Sequence, residues 1–172
     1  MTHSRTGVYG SMYIAAAIAA SPVADRPLDI FEIAIRCLPQ RTRFAAAMRD
    51  CFEMVAQASD WLDGYRCINS RYGEHRHCQL YQECGQLINA DRFARDAGEA
   101  ICMQVMQGCD TDCFGEIVGS IMGAYFGPGS LDERWVKALN DDFRCSLGDF
   151  HERSRAAVRK RMGAMPALTA GL

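Results

Sequence analysis

The chain has 172 residues, of which 49% are hydrophobic and 23% are charged, and its formal net charge is −2 at pH 7. A chain of this length supports one domain with a hydrophobic core rather than two. The average composition excludes disordered tail proteins and fibrous proteins, and the small net charge excludes a surface that binds nucleic acid or an anionic membrane through charge alone.

Hydrophobic residues recur with the 3.6-residue period of helices from the start of the chain. The first predicted helix ends at Pro22 and the second at Pro39, because proline inside a helix removes a hydrogen bond and clashes with the preceding turn. The predicted buried faces are Val8, Met12, Ala15, Ala16 and Ala19 in the first helix, and Ile30, Ile33, Ala34 and Cys37 in the second. A third helix is predicted from Phe44, Ala47, Met48, Cys51, Val55 and Ala58.

The same period predicts six further helices, with a polar loop over residues 73–77 and breaks at glycines and prolines. They cover about residues 61–70, 79–89, 93–107, 112–126, 131–139 and 142–161. The alternation typical of strands never persists, and β-branched residues are sparse. The sequence therefore predicts an all-α fold, a compact multi-helix bundle, with one domain over residues 1–161 and a flexible tail over residues 162–172.

The cysteines favour a reducing compartment, because their number, nine, is odd and no Cys-x-x-Cys pair occurs. We therefore expect a cytoplasmic protein. An alternative use of some of them is a zinc site built from His75, His77, Cys78 and Cys84, although this spacing matches no common structural zinc site.

The N-terminal segment leaves a second alternative open. Arg5 followed by the apolar residues 12–20 resembles a secretory signal peptide, whereas Gly7 and Gly10 interrupt that pattern and the odd cysteine count argues against export. No apolar run reaches the roughly 18 residues that span a bilayer. We therefore expect no association with a membrane.

Four glycines occur at intervals of four residues along the predicted seventh helix: Gly115, Gly119, Gly123 and Gly127. This interval places them on one face. A glycine inside a helix costs about 0.5–1 kcal/mol relative to alanine, so the row indicates that another group approaches the backbone closely. A neighbouring helix is the simpler explanation for the last three, whereas Gly115 could admit a ligand instead.

Two aspartates, Asp110 and Asp112, stand just before that glycine row and just after Gly108. Helix capping explains one of them, because an aspartate side chain accepts hydrogen bonds from the free N–H groups of a first turn. Capping does not explain two aspartates separated by one residue. Two carboxylates in one turn also form a site of hard oxygen ligands suited to Mg²⁺, Mn²⁺ or Ca²⁺, and both explanations stay open at this point.

The segment from Gly108 to Gly127 resembles the C-terminal metal motif of the ADP-ribosylglycohydrolase family, which includes the dinitrogenase-reductase-activating glycohydrolases. In that family Gly-x-Asp-Thr-Asp, followed by Thr or Cys, opens a central helix with glycines at this spacing. Weaker matches are Thr2-His3 before a helix, the LPQRTRF turn over residues 38–44, and Trp135 with Leu139. The resemblance covers about residues 2–145.

The resemblance implies the C-terminal part of an orthogonal helical fold and a hydrolase that cleaves the glycosidic bond of ADP-ribosylated substrates. It implies a site for two Mg²⁺ or Mn²⁺ ions. By position, the metal ligands would be Asp110, Asp112 and Cys113, and the substrate-binding residues would be His3, Gly108 and Gly115. A cysteine is a softer donor than the threonine common at its position and is poorly matched to Mg²⁺, and Glu116 stands where the family usually has a small residue.

The first half of the family's metal site is not found in this sequence. The family has an N-terminal Thr-Asp-Asp motif and an acidic catalytic residue, and Thr-Asp occurs here only at Thr111-Asp112. The adjacent pair Asp141-Asp142 is better explained as a helix cap. We therefore expect a partial family domain with weak or no activity alone, and we assign no catalytic residue.

Several alternatives remain for the chain as a whole. It could be a fragment, a split subunit that meets a missing N-terminal half, or a catalytically inactive remnant that binds ADP-ribose. An unrelated helical metal protein is a further alternative. The expected partners are an ADP-ribosylated protein or a small molecule that contains ADP-ribose, and nucleic acid is not expected.

Overall fold

The computed structural model describes residues 4–75, 78–142 and 152–169, with side chains to residue 165. The chain forms two compact units, Met1–Ser130 and Leu131–Leu172. The first unit contains seven described helices: α1 (Thr6–Ala20), α2 (Pro27–Arg36), α3 (Arg43–Gln57), α4 (Trp61–Tyr72), α5 (Tyr81–Phe93), α6 (Ala97–Met106) and α7 (Thr111–Phe126). The predicted all-α fold is confirmed, since the described residues include no strand.

Helix α5 lies at the centre of the first unit. It packs against α2, α3, α4, α6 and α7, and every residue from Gln82 to Asp91 is buried. A helix that is buried on all sides is normally apolar all round, but this one carries polar side chains inward. The hydrophobic pattern of α5 therefore predicts a helix without revealing that it is the core helix.

The prediction for α3 is confirmed, because its six predicted core positions are all buried. The predicted face of α1 is wrong, since none of its five residues is buried, and that of α2 is wrong in part, since only Ile30 and Ala34 of its four residues are buried. The buried residues are Gly10, Tyr13, Ala17 and Ala20 in α1, and Ile30, Phe31, Ala34 and Ile35 in α2. The reason is aromatic packing: the ring of Tyr13 lies 6.0 Å from that of Phe31 and 6.1 Å from that of Phe44.

Three helices of the first unit begin with a side-chain cap. Asp60 accepts a hydrogen bond from the N–H of Asp63 at 2.8 Å, and Asp96 accepts one from the N–H of Glu99 at 2.8 Å. Thr42 does the same for α3. Such caps stabilise a helix by about 1 kcal/mol each.

The second unit contains α8 (Glu133–Lys137) and α9 (Arg155–Thr169). The predicted short helix around Trp135 is confirmed. The last described helix is Arg155–Thr169 and includes residues 162–169, whereas residues 143–151 of the predicted last helix lie outside the described residues. Asp142 instead pairs with Ser154 in an isolated bridge. Asp141 accepts a hydrogen bond from the N–H of Ala156 at 3.1 Å, so the predicted capping role holds for this aspartate.

Cysteines were expected to replace apolar residues on buried helix faces. Cys51 and Cys84 are buried, and the other six described cysteines are exposed, so the expectation is wrong for Cys37. Cys145 lies outside the described residues. No helix in the described part of the chain is long and apolar enough to cross a membrane.

Candidate functional site

The turn between α6 and α7 brings the motif residues to the N-terminus of α7. Gly108 and Cys109 have left-handed backbones, with φ of 80° and 64°, and this conformation suits glycine at the first position. Among the described residues, none other than its chain neighbours has an atom within 4 Å of where a Cβ on Gly108 would be. Gly108 is therefore required by the backbone conformation of the turn, and the space beside it is open.

Asp110 occupies the N-cap position of α7, yet its side chain makes no capping hydrogen bond with the helix. This differs from Asp60 and Asp96, whose carboxylates cap α4 and α6. The carboxylate Oδ2 of Asp110 instead lies 3.7 Å from the Sγ of Cys78, on the loop before α5. Capping therefore does not account for Asp110.

Asp112 lies in the first turn of α7 and is exposed. A carboxylate in this position interacts favourably with the positive end of the helix dipole. Cys113 follows it and is also exposed. The turn therefore presents two carboxylates and a thiol within four consecutive residues.

Negative charge accumulates around the two thiols of this site. Reduced hydration and then the charges of Asp110 and Asp112 raise the pKa of the Cys113 thiol above its ordinary value. Reduced hydration, Glu83 and the same two aspartates raise the pKa of the Cys78 thiol. Both thiols are therefore protonated at neutral pH, and the negative charge of the site belongs to the carboxylates.

Glu83 fixes the loop that carries Cys78. This buried side chain accepts hydrogen bonds from the backbone N–H groups of Cys78 at 3.3 Å and Leu80 at 3.2 Å. Leu80 has a left-handed backbone and packs on α1, where a Cβ on Gly10 would lie 2.4 Å from its Cδ1 atom. The loop before α5 is therefore held by α5 on one side and by α1 on the other.

A buried amide network fixes the other approach to the turn. The Nε2 group of Gln107 donates to the backbone oxygen of Gln86 at 3.1 Å, and that of Gln86 donates back to the backbone oxygen of Gln107 at 3.4 Å. Asn89 donates to the side-chain oxygen of Gln107 at 2.9 Å. Because Gln107 directly precedes Gly108, the core helix α5 determines where the motif begins. This network could not be predicted from the sequence pattern. The only sign of it in the sequence is the presence of polar residues on an otherwise apolar helix face.

The glycine row has three different explanations. A Cβ on Gly115 would lie 3.3 Å from Val105, and one on Gly119 would lie 3.3 Å from Ile101, so both glycines allow α6 to pack closely on α7. Gly127 ends α7 with a left-handed φ of 80°. Nothing lies within 4 Å of a Cβ on Gly123. The packing explanation is therefore right for Gly119 and wrong for Gly123 and Gly127.

The other predicted residues are separated or lie outside the described chain. His3 and His77 are not among the described residues. The ring of His75 stacks on that of Tyr81, whereas Cys84 is buried in the core, so the zinc alternative gains no support. Glu116 is exposed.

The carboxylates of Asp110 and Asp112 are ligands of the type that a divalent cation prefers, but they are too few to complete its coordination shell. Mg²⁺ and Mn²⁺ prefer carboxylate oxygens, and Mg²⁺ takes six ligands. Within the described ranges, no group of three or more His, Cys, Asp or Glu side chains is arranged to hold a metal ion. An ion at Asp110 and Asp112 would therefore take most of its ligands from water or substrate.

Comparison with known proteins gives one match. The sequence model of a family described as ADP-ribosylglycohydrolase matches residues 1–164 of the chain. No curated protein and no solved structure matches it.

Proposed function

Because the chain belongs to the ADP-ribosylglycohydrolase family, we propose that it hydrolyses the glycosidic bond between ADP-ribose and a modified group. Water adds across that bond, so that its hydroxyl joins the anomeric carbon of the ribose and a proton goes to the leaving group. The observation that carries this proposal is the side chain of Asp110, which stands at a helix N-cap without capping the helix. Asp110 lies two residues from Asp112 at the N-terminus of α7, which supports a role for the two carboxylates together.

That role is to bind a divalent cation, Mg²⁺ or Mn²⁺. Asp110 and Asp112 would hold this cation, and when bound it would supply orientation of the ribose hydroxyls and polarisation of water near the anomeric carbon. The two aspartates place two carboxylates at the turn, and their charges, after reduced hydration, contribute to the raised pKa of the Cys113 thiol. The second ion of the family site would need ligands beyond these two, so we expect slow turnover.

Cys113 contributes little to the affinity for Mg²⁺ in this proposal. Its thiol is protonated without a metal, and sulfur is a poor partner for a hard cation. Serine at this position offers a harder oxygen ligand, so Cys113→Ser should bind Mg²⁺ at least as tightly as the wild type.

The turn backbone supplies the remaining contacts to substrate. The open space beside Gly108 admits a ligand close to the main chain. Gly115 is buried against Val105, so any contribution that it makes to binding comes through the position of α7. His3 stays a predicted substrate contact.

The eight described cysteines are all free, which supports a reducing, cytoplasmic location.

Release of ADP-ribose from an ADP-ribosylated arginine or serine peptide tests the proposal. We expect slow release that depends on Mn²⁺ or Mg²⁺ and falls at least about 100-fold in Asp112→Ala, because removal of one of two ligands leaves the cation weakly held. Asp25→Ala, which removes an exposed aspartate far along the chain from the motif, is the matched control and should retain the wild-type rate.

A wild-type protein that binds ADP-ribose but releases none under these conditions would contradict hydrolysis and indicate a binding protein. Equal rates in Asp112→Ala and Asp25→Ala would contradict the role of the turn.

A further inference from the structure

A separate pocket of about 510 Å³ opens between α3, α4 and the start of α5. Its volume lies within the range of small-molecule sites, roughly 300–1,000 Å³. Two small residues of α3, Ala46 and Ala47, line it and leave room for a ligand. None of its lining residues belongs to the α6–α7 turn, so the site is independent of the function proposed above.

One wall of the pocket consists of aromatic rings with similar orientation. The rings of Tyr72 and Tyr81 are inclined by only 9°, with centroids 6.5 Å apart. His75 stacks on Tyr81 with centroids 4.6 Å apart and planes inclined by 25°. Rings that share an orientation in an open pocket suit a planar aromatic ligand, because stacking on each ring adds a favourable contact.

A carboxylate beside these rings keeps one oxygen available. The Oδ2 atom of Asp50 accepts hydrogen bonds from the Tyr72 hydroxyl at 2.7 Å and from the Arg71 Nε at 3.2 Å. Its Oδ1 atom accepts none from the residues that the structure describes. An oriented carboxylate with one unused oxygen is an acceptor for a ligand hydroxyl or amine.

Two arginines give the pocket a positive charge. Arg71 donates from its Nε to Asp50, and its guanidinium lies 5.9 Å from the centre of the Tyr72 ring. Arg43 also lines the pocket and is exposed. Among the described lining residues these two guanidinium groups outnumber the one carboxylate, Asp50, and guanidinium groups match a phosphate in charge and geometry.

We propose that this pocket binds a purine nucleoside monophosphate. The base stacks on the rings of His75 and the two tyrosines, a ribose hydroxyl donates to the Oδ1 atom of Asp50, and the phosphate pairs with Arg43 and Arg71. A bare phosphate would leave the rings and Asp50 unused, and an acidic peptide carboxylate would leave the rings without a stacking partner. The nucleotide is the ligand class that uses all three features.

Calorimetric titration with AMP in the presence of EDTA tests this site without engaging a metal at the α6–α7 turn. We expect AMP to bind at least about tenfold more tightly than adenosine, ribose 5-phosphate or inorganic phosphate, because each of these lacks one of the recognised groups. Arg43→Gln and His75→Ala should each weaken AMP binding about tenfold. Arg66→Gln, an exposed arginine on α4 outside the pocket lining, is the control and should bind as the wild type does.

Equal affinity for AMP and ribose 5-phosphate would overturn the proposal, since the base would then go unrecognised. The same affinity in Arg43→Gln as in Arg66→Gln would also overturn it. Asp112→Ala separates the two sites: it should lose ADP-ribose release while AMP binding persists, and loss of AMP binding in this variant would place the nucleotide at the turn instead.

Discussion

Asp91, on the core helix α5, is fully buried, and neither of its carboxylate oxygens has a hydrogen-bond partner among the described residues. Burial raises the pKa of this carboxyl well above its ordinary value, because the charged form loses its hydration. The folded protein therefore holds the proton over a pH range in which the unfolded chain has released it. Since the unfolded state binds fewer protons there, stability falls as pH rises from the unfolded pKa toward the folded one.

Asp91→Asn should remove this contribution to the pH dependence. The wild-type free energy of unfolding should fall above about pH 4 with a slope of up to about 1.4 kcal/mol per pH unit from this group, and the variant should show a flatter profile. Urea unfolding between pH 5 and pH 8 measures the difference. Parallel profiles for the two proteins would show that Asp91 is ionised in the fold.

Substitutions of Asp110 and Asp96 distinguish the effect of helix capping on stability from the effect of metal binding. Asp110→Ala should lower the free energy of unfolding by less than removal of a capping aspartate does, because its side chain does not cap α7, but it should abolish Mn²⁺ binding. Asp96→Ala should cost about 1 kcal/mol, because it removes the cap of α6, and it should leave Mn²⁺ binding intact. Unfolding and Mn²⁺ titration of both variants test this, and the opposite pattern would mean that Asp110 has only a structural role.

At the scale of elements, helix α7 shows that equal spacing need not mean equal roles. Gly115 and Gly119 let α6 approach, Gly127 ends the helix, and Gly123 meets no neighbour. The sequence could predict the shared face of these residues from the period alone. It could not predict which of them touch another helix, because that depends on the direction in which α6 crosses α7.

Two alanine substitutions test these roles. Gly123→Ala should stabilise the protein by about 0.5–1 kcal/mol, since alanine is the better helix former and the space is open. Gly127→Ala should destabilise it by about 1 kcal/mol, because the left-handed backbone there disfavours any side chain. Thermal unfolding of both variants gives the signs, and stabilisation by Gly127→Ala would contradict the assigned backbone conformation.

Helices α1 and α3 show how far a hydrophobic pattern can be used. In α3 polar and apolar residues alternate with the helical period, so only one face could be buried, and that prediction is confirmed. Helix α1 is rich in alanine on most sides, so composition does not select a face. The large ring of Tyr13 determines which face is buried, through its contacts with Phe31 and Phe44.

At the scale of the whole molecule, the all-α class and the position of the motif turn could be predicted because both depend on local signals. The hydrogen bonds that hold the site in position could not be predicted. Gln86 and Gln107 lie 21 residues apart in the sequence, and each donates a buried hydrogen bond to the backbone oxygen of the other. Such pairings follow from tertiary packing around α5, which a single sequence does not encode in a readable period.

We propose that this protein breaks the glycosidic bond of an ADP-ribosylated group. Mass spectrometry of an ADP-ribosylated arginine peptide after incubation with the protein and Mn²⁺ shows which bond is cleaved. We expect the unmodified peptide and intact free ADP-ribose in equal amounts, both dependent on Mn²⁺. An unchanged peptide, or a peptide that retains ribose phosphate while AMP is released, would contradict it.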